Sequence, residues 1–208
     1  MKRPKSPVKS NSSALRSQFR IIGGIWRSRR FHFPPTEGLR PTPDRVRETI
    51  FNWLEPHLKN STCLDLFCGS GALGLEALSR GAAHCTFIDA ELHAINAIKG
   101  HLATLHCDDA LVTHAQLPAA LTRLTCRYDL IFLDPPYTLN CLNQCLGILL
   151  GQELLNEGAM IYVECSSMES LPEIPLTLNI HRHKIAGQVQ YALLQYTGES
   201  SKHCADPL

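Results

Sequence analysis

A glycine-rich turn between two apolar segments is the first feature of the sequence that could do chemistry. The run 64–74 reads LDLFCGSGALG, so Gly69, Gly71 and Gly74 are spaced G-x-G-x-x-G between a predicted strand and a predicted helix. Glycine in such a turn lets the chain bend tightly and lets a ligand approach the main chain. Asp89 ends the next predicted strand, where a carboxylate can accept hydrogen bonds from both ribose hydroxyls. The spacing therefore predicts a site for a nucleoside-containing cofactor.

A carboxylate just before this turn narrows the choice of cofactor. Asp65 would repel the pyrophosphate of a nicotinamide dinucleotide, but it would attract the ammonium or sulfonium of S-adenosylmethionine. Within the turn we expect a cofactor-binding set made of Phe67, Gly69, Ser70 and Gly71. We therefore expect S-adenosylmethionine as cofactor and S-adenosylhomocysteine as product. A dinucleotide-dependent oxidoreductase, which the glycine spacing and the distal acid would permit, stays open as an alternative.

The tetrapeptide Asp134-Pro135-Pro136-Tyr137 follows a strongly apolar predicted strand, so we expect it at the carboxyl edge of the sheet beside the glycine turn. The two prolines restrict the main chain, so the Asp134 carboxylate and the Pro135 carbonyl can both point at one exocyclic amine. Hydrogen bonds to both N–H groups favour the pyramidal amine whose lone pair can attack a sulfonium methyl. Tyr137 offers a ring on which a flipped base can stack. We predict Asp134, Pro135, Pro136 and Tyr137 as the catalytic residues.

The choice between guanine and adenine depends on hydrogen-bonding groups. Guanine presents an N1–H donor beside its N2 amine, whereas adenine presents an N1 acceptor beside its N6 amine. A carboxylate only accepts hydrogen bonds, so Asp134 matches guanine better. A DNA or RNA adenine-N6 methyltransferase stays open as the alternative.

Charge is distributed unevenly along the 208 residues. Residues 1–36 carry nine basic side chains and no acid, whereas residues 37–208 carry eleven basic and nineteen acidic side chains. A basic segment on an acidic body favours a polyanionic partner, and nucleic acid is the commonest such partner of a cytosolic chain. A cluster interleaved with Trp26 and Phe31 is expected to contact RNA: Arg27, Arg29 and Arg30. Three further arginines are expected to extend this cluster toward the predicted cleft: Arg40, Arg45 and Arg47. A nonenzymatic RNA-binding assembly factor is a further alternative.

The pattern of apolar residues predicts the elements that position these groups. Two β-prone runs, 19–22 and 25–26, flank Gly23-Gly24 and predict a small hairpin, followed by a helix with Thr42 as N-cap and Pro43 as first residue. From residue 61 onward, strands alternate with helices as a parallel sheet requires. The predicted strands are 63–67, 84–88, 110–113, 128–133 and 159–163, and the predicted helices are 72–80, 92–105, 118–123 and 139–150. Two final β stretches, 176–184 and 189–196, predict an antiparallel hairpin.

Several of these segments resemble a known family. Residues 65–74, Asp89 and residues 134–137 resemble the class I S-adenosylmethionine-dependent methyltransferases that act on exocyclic amines. More narrowly, five short segments are similar to those of the bacterial 16S ribosomal RNA guanine-966 N2-methyltransferases: RIIGG at 20–24, LRPT at 39–42, DRVRET at 44–49, FNWL at 51–54 and AGQV at 186–189. The resemblance covers residues 20 to about 197. It implies methyl transfer to guanine N2 and a basic extension that grips 16S rRNA in the small ribosomal subunit or an assembly intermediate.

Two positions differ from the pattern of that family. Cys68 stands where a small residue, often alanine, is common, and the loop geometry tolerates it. His114 falls at the strand end where an Asp or Asn of the family meets the adenine amino group. A neutral imidazole nitrogen can accept that hydrogen bond, so His114 joins the predicted cofactor-binding residues. A surface histidine without a ligand is the alternative reading.

The fold class expected from these observations is α/β: a doubly wound, Rossmann-like, seven-stranded sheet with a C-terminal antiparallel hairpin and a small basic N-terminal extension. The expected organisation is a flexible basic arm (1–19), an RNA-contacting hairpin and helix (20–55), a methyltransferase domain (56–197) and a polar tail (198–208). The apolar runs are too short to span a bilayer, and nine cysteines without a C-x-x-C pair argue against a disulfide framework and a zinc site. We expect a cytoplasmic monomer with no metal and no membrane association.

Overall fold

A seven-stranded sheet is the central element, and the computed structural model describes residues 17–33 and 42–198. In chain order the strands are β1 (Ser17–Arg20), β2 (Arg30–Phe33), β3 (Thr62–Leu66), β4 (His84–Asp89), β5 (Ala110–His114), β6 (Tyr128–Leu133), β7 (Leu155–Ser166), β8 (Leu178–Ala186) and β9 (Val189–Tyr196). The helices are α1 (Asp44–Leu58), α2 (Ala72–Ser79), α3 (Leu92–Leu105) and α4 (Leu142–Gly151), with 3₁₀ turns at Ala119–Arg123 and Tyr137–Leu139.

The sheet has the strand order β5-β4-β3-β6-β7-β9-β8. The first five strands are parallel, and β9 runs antiparallel to both of its neighbours. The predicted doubly wound sheet with a C-terminal antiparallel hairpin is confirmed. The direction of strand addition reverses between β3 and β6, and open α/β sheets bind ligands outside the carboxyl ends of the strands at such a point. The fold therefore places the turn after β3 beside the corner after β6.

Helices cover both faces of the sheet because successive strand residues point to opposite faces. In β6, Leu130 and Phe132 pack on the side of α1, α2 and α3, whereas Ile131 and Leu133 pack on the side of α4 and the Ala119–Arg123 turn. All four side chains are at most 1% exposed. The sheet thus separates two apolar cores.

The N-terminal hairpin begins earlier than predicted. Phe19 is 5% exposed and its ring centroid lies 5.7 Å from that of Phe31, so β1 starts at Ser17, within the stretch predicted as a flexible arm. Ile25 and Trp26, predicted as strand, lie in the connection between β1 and β2. The strand prediction for this pair is wrong, because the chain turns there to meet α2.

Gly24 allows the chain to turn in direct contact with the main chain of α2. Its φ is +73°, and a Cβ at this position would stand 1.7 Å from the carbonyl oxygen of Ser79 in α2. The main chains of the hairpin and of α2 are therefore in direct contact, and the N–H of Ile25 donates to the same carbonyl at 2.8 Å.

Glu76 of α2 binds the connection between β1 and β2 through hydrogen bonds. Its carboxylate is fully buried and accepts the main-chain N–H groups of Ile22 and Gly23, each at 2.7 Å. Arg80 Nε donates to it at 2.7 Å, and a guanidinium nitrogen of Arg47 lies 3.7 Å away. The N-terminal extension is consequently packed on the sheet domain as part of the same core.

Helix α1 begins one residue later than predicted, and Thr42 does not cap it. Pro43 occupies the N-cap position with φ −55° and ψ 146°, and none of the side chains that the structure describes caps the helix. The Thr42 hydroxyl hydrogen-bonds instead to the carboxylate of Asp134. Because α1 continues to Leu58, the boundary predicted between residues 55 and 56 falls inside this helix. Arg40, residues 1–16 of the predicted arm and the predicted tail from residue 199 lie outside the described residues.

Candidate cofactor and catalytic site

Four acidic side chains converge at the carboxyl edge of the sheet. Asp65 and Asp89 lie near the ends of β3 and β4, Asp134 follows β6, and Glu164 lies near the end of β7. The register of β6 with β7, carried forward by one residue, places Asp134 beside Glu164. Each acid stands two residues after a side chain that packs toward α1, α2 and α3, so the alternation of strands directs all four to that side. The structure thus brings together three predicted acids and one that was not predicted.

The turn after β3 has the main-chain shape for which glycine is suited. Phe67, Gly69 and Gly71 all have positive φ, at 56°, 48° and 76°. A Cβ on Gly71 would stand 2.8 Å from a side chain of α3, and a Cβ on Gly74 would stand 2.3 Å from an aromatic ring of β4. Gly71 therefore permits the turn, and Gly74 permits the close packing of α2 on the sheet. Ser70, within the turn, is 6% exposed.

Asp65 lies buried beneath this turn. Its Oδ2 accepts the N–H of Gly74 at 2.9 Å, so the carboxylate satisfies a free N–H in the first turn of α2, a structural role the sequence analysis did not include. Burial raises the pKa of Asp65 to about 8; the nearby charge of Asp89 adds to the rise, and the Gly74 N–H opposes it. A cation bound nearby would stabilise the ionised carboxylate and lower this pKa again.

Asp89 and His114 are paired neighbours at the ends of β4 and β5. Asp89 accepts the N–H of Gly69 at 2.7 Å and the N–H of Glu91 at 2.8 Å, one on each oxygen. Its orientation is therefore fixed, while each oxygen keeps a further lone pair for a ligand.

His114 is exposed, and its Nε2 lies 2.8 Å from the carbonyl oxygen of Ala90. Since a carbonyl only accepts, this contact assigns the proton to Nε2. In the neutral ring Nδ1 is then a hydrogen-bond acceptor, which is the property that the predicted adenine contact requires.

The corner after β6 is rigid. Pro135 is buried, and Pro136 has the extended conformation with φ −52° and ψ 129°. The chain then forms the Tyr137–Leu139 turn, so α4 begins three residues later than predicted. Within residues 17–33 and 42–198 no group donates a hydrogen bond to the Pro135 carbonyl.

Asp134 is half-buried at this corner. Burial and the charges of Glu164 and Asp65 raise its pKa well above the ordinary value, while the hydrogen bond from Thr42 opposes the rise. An acid in such surroundings accepts a proton more readily than an exposed carboxylate.

Glu164 is a site residue that the sequence analysis missed. It is 6% exposed and accepts hydrogen bonds from the hydroxyls of Tyr162 and Tyr137. Burial raises the pKa of Glu164, and these two hydroxyls oppose the rise. The Tyr137 hydroxyl thus points toward Glu164, while the residue as a whole is 43% exposed. The sequence signal was an acid inside the apolar segment 159–165, AMIYVEC.

The basic cluster of the hairpin lies away from this site. Arg27, Arg29 and Arg30 are exposed. Arg29 donates to the carbonyl of Thr104 at 3.4 Å, in the last turn of α3. That contact lies about 18 Å along α3 from the end nearest the catalytic edge. The aromatic residues interleaved with this cluster pack inward: Phe31 is 6% exposed, and Trp26 packs on the core.

The two described arginines of the predicted extension, Arg45 and Arg47, differ in burial. Arg45 is exposed in the first turn of α1, near the catalytic edge. The prediction for Arg47 is wrong, because its side chain is fully buried and donates to Asp44 at 2.6 Å and to the carbonyl of Arg20 at 2.8 Å.

The residues of this edge fit S-adenosylmethionine. The glycine turn, with positive φ at Phe67, Gly69 and Gly71, lies beside Asp65, whose ionised carboxylate would attract a cation, and beside Asp89, whose remaining lone pairs suit hydroxyl donors. In the described part of the chain no group of three His, Cys, Asp or Glu side chains is arranged to hold a metal. Of the helices described, none has the length and apolar character needed to cross a membrane.

Comparisons with known proteins agree with this geometry. The model of the family described as "Conserved hypothetical protein 95" matches residues 19–195. The solved structure of yhhF from Escherichia coli is 41% identical, with a TM-score of 0.82 over 87% of this chain and 99% of that chain. The structure of SMU.776 in complex with S-adenosylhomocysteine has a TM-score of 0.64 at 15% identity, over 80% of this chain and 53% of the other, and shows likeness of fold alone. Fold and site together define the class of Rossmann-like S-adenosylmethionine-dependent methyltransferases.

Curated relatives narrow the class to a family. The ribosomal RNA small subunit methyltransferase D of E. coli strain K12 is 44% identical over 178 residues, which is 86% of this chain and 90% of that protein. The protein of the same name from Haemophilus influenzae is 39% identical over 184 residues, 86% of this chain and 95% of that protein. The chain belongs to the family of the ribosomal RNA small subunit methyltransferase D proteins.

Proposed function

We propose that this protein transfers a methyl group from S-adenosylmethionine to the exocyclic N2 of guanine 966 in 16S rRNA of the small ribosomal subunit. The observation that carries the proposal is the placement of the Asp134 corner beside the glycine turn, with both on the same edge of the sheet. The names of the E. coli and H. influenzae relatives support a ribosomal RNA substrate. The match of an acceptor-only carboxylate to the two adjacent donors of guanine supports N2 as the target atom.

The corner supplies the groups that prepare the amine. The Asp134 carboxylate and the Pro135 carbonyl accept its two N–H bonds and hold the nitrogen pyramidal, so its lone pair is no longer delocalised into the base. When bound, S-adenosylmethionine supplies an electrophilic methyl group on a sulfonium. The amine gains a positive charge as it is methylated, and Asp134, with its raised pKa, is the acceptor for the proton that N2 must then release. No cysteine nucleophile and no covalent enzyme intermediate are needed.

Tyr137 and Glu164 position the base. A guanine extruded from its stack loses a few kcal/mol of stacking and pairing, which the exposed ring of Tyr137 partly offsets. The hydrogen bond to Glu164 holds that ring in place before the base arrives. Glu164 is therefore a positioning residue in the proposed mechanism.

The other edge of the site binds the cofactor. Phe67, Gly69, Ser70 and Gly71 form the turn that approaches it, Asp65 holds its positive charge, Asp89 accepts its ribose hydroxyls, and His114 Nδ1 accepts from its adenine amine. The exposed arginines Arg27, Arg29, Arg30 and Arg45 contact RNA in the mature subunit or an assembly intermediate, and the protein acts as a monomer.

A single assay tests this proposal. Protein, labelled S-adenosylmethionine and small subunits from a strain lacking the homologous enzyme are mixed. One portion of the RNA is digested to nucleosides to identify the labelled base, and a second portion is cut into defined fragments to locate the label. Label in N2-methylguanosine, mapped to position 966, is the expected result. Label in N6-methyladenosine would establish the adenine alternative, and RNA without label would overturn the proposal. In a parallel calorimetric titration, S-adenosylhomocysteine should bind more tightly than NAD(H); the reverse order would favour an oxidoreductase.

A further inference from the structure

The edge strand β8 carries basic side chains that have no role so far. Among the described strands, β8 is the outermost of the sheet and pairs only with β9. Its residues from Asn179 to Ile185 are all exposed, and they include Arg182 and Lys184 but no acid. Arg182 donates to the carbonyl of the adjacent His181 at 3.1 Å. Across the described ranges 17–33 and 42–198, neither Arg182 nor Lys184 forms an ion pair.

The strand register places these two cations on the face that carries α1. Lys184 pairs with Tyr191 and Arg182 pairs with Leu193. Directly paired residues of antiparallel strands project to the same face of a sheet. Tyr191 packs against Trp53 of α1, with 5.5 Å between the ring centroids. Arg182 and Lys184 therefore border the strip of surface between α1 and β8.

This strip begins at the catalytic corner. β7 and β8 are both antiparallel to β9, so their carboxyl ends lie at the same edge of the sheet. Lys184 is two residues from the end of β8, and Arg182 follows about 6.6 Å further from the edge. Arg45 and Glu164 both act electrostatically on Tyr191, so Arg45 adjoins the same strip close to the site.

We propose that Arg45, Trp53, Arg182 and Lys184, here named the α1–β8 surface, bind the phosphate backbone of the RNA that flanks the methylated nucleotide. The proposal rests on the proposed function. Three exposed cations in a row, without acidic partners among the described residues, suit a polyanion. Because the row starts beside the corner that receives the base, the strand carrying that base can continue along it. Phosphate contacts of this kind fix the position of the RNA rather than read its sequence.

The test compares two double variants that remove the same charge. Arg182→Ala with Lys184→Ala removes two cations from the α1–β8 surface. Lys99→Ala with Arg123→Ala removes two exposed cations from α3 and from the Ala119–Arg123 turn. Affinity for a 16S rRNA fragment that spans the target is measured for both between 50 and 300 mM salt. Thermal unfolding and S-adenosylhomocysteine affinity serve as checks that the fold and the cofactor site are unchanged.

We expect the β8 double variant to bind RNA about tenfold more weakly, and the slope of log affinity against log salt to fall by about 1.4 to 1.8. The Lys99 and Arg123 variant should change both quantities by much less. Equal losses in the two variants, or unchanged RNA affinity in the β8 variant, would overturn the inference. Unchanged RNA affinity with new self-association would show instead that these cations protect the strand edge from pairing. A parent protein that methylates no ribosomal RNA would refute the proposed function, whereas normal methylation by both variants refutes only this surface.

Discussion

Acids that are buried or half-buried occur in two regions of this molecule, and their surroundings differ. Glu76 in α2 is surrounded by donors: two main-chain N–H groups and two guanidinium groups. At the carboxyl edge, Asp134 and Glu164 lie beside each other, with neutral hydroxyls of Thr42, Tyr137 and Tyr162 as partners. A buried acid with cationic partners stabilises the docking of two elements. Acids that lack such partners keep their capacity to bind a ligand or to take up a proton, at a cost in stability.

The largest effect is expected from neutralising the paired acid. Glu76→Gln removes the buried charge that faces Arg80 and Arg47, leaves Asp44 as the remaining carboxylate partner of Arg47, and removes one of the acceptors used by the hairpin, so we expect a loss of about 3–5 kcal/mol in the free energy of unfolding. Urea denaturation measures this loss. Glu55→Gln is the matched control, because Glu55 contacts the same Arg80 at 3.5 Å but is 68% exposed, and it should cost less than about 1 kcal/mol. Equal losses would show that burial does not distinguish the two acids.

The same isosteric change at Asp134, which has no cationic partner among the described residues, should reduce activity instead. Asp134→Asn replaces one acceptor with a donor facing the amine, so we expect turnover to fall at least ~100-fold, or about 2.7 kcal/mol in the barrier. The affinity for S-adenosylhomocysteine should stay within about threefold of the parent value. Single-turnover methylation and calorimetry measure the two quantities, with the exposed Asp108→Asn as control. A parallel loss of cofactor affinity would contradict the separate role of the corner.

The free energy of unfolding should depend on pH through the acids at the carboxyl edge of the sheet. The pKa values of Asp65, Asp134 and Glu164 are all raised in the folded state, mainly by burial. Their contribution to stability is therefore complete below the unfolded pKa near 4 and is lost as pH rises through the folded pKa, which for Asp65 is about 8. Asp134→Asn removes one of these groups and should be about 1–2 kcal/mol more stable than the parent at pH 8, or about 2–8 °C in Tm. Near pH 4 the difference should vanish; parallel melting curves from pH 4 to 8 would disprove the assignment.

Asp89 is intermediate between the two kinds of acid, and its substitution should have the smallest effect. Both of its oxygens accept main-chain N–H groups, and it is also the predicted partner of the ribose hydroxyls. An asparagine keeps only one acceptor oxygen, so we expect Asp89→Asn to cost about 1 kcal/mol in unfolding free energy and about fivefold in S-adenosylhomocysteine affinity. Denaturation and calorimetry on one preparation measure both. A change in unfolding free energy alone would show that Asp89 has a structural role, and a change in S-adenosylhomocysteine affinity alone would show that it has a binding role.

The sheet and the turns at its edge could be predicted because their signals are local. Apolar runs of strand length, the glycine spacing before Gly74, and the prolines after Asp134 each restrict a few consecutive residues. Alternating strands and helices then determine which edge receives the loops.

The remaining parts depend on contacts between distant residues. Glu164 joins the site only because β7 pairs with β6 in a particular register, and Thr42 leaves its expected capping position for Asp134, ninety-two residues further along the chain. Arg47 has the same local charge pattern as Arg45, but the docking of the hairpin buries it. The sequence predicts β8 as one strand of a hairpin. Its position relative to the site depends on the direction in which β8 runs in the assembled sheet.

The contact between Gly24 and the Ser79 carbonyl limits how the enzyme can be shortened or recombined. A chain beginning at α1 would expose His101 of α3, against which Phe19 and Phe31 pack, and leave the Glu76 carboxylate without its two main-chain donors. Grafting a different leader onto this sheet would require a residue without a side chain at the same point, since any Cβ there would overlap a main-chain oxygen. The sheet and its N-terminal extension therefore have to be engineered as one unit.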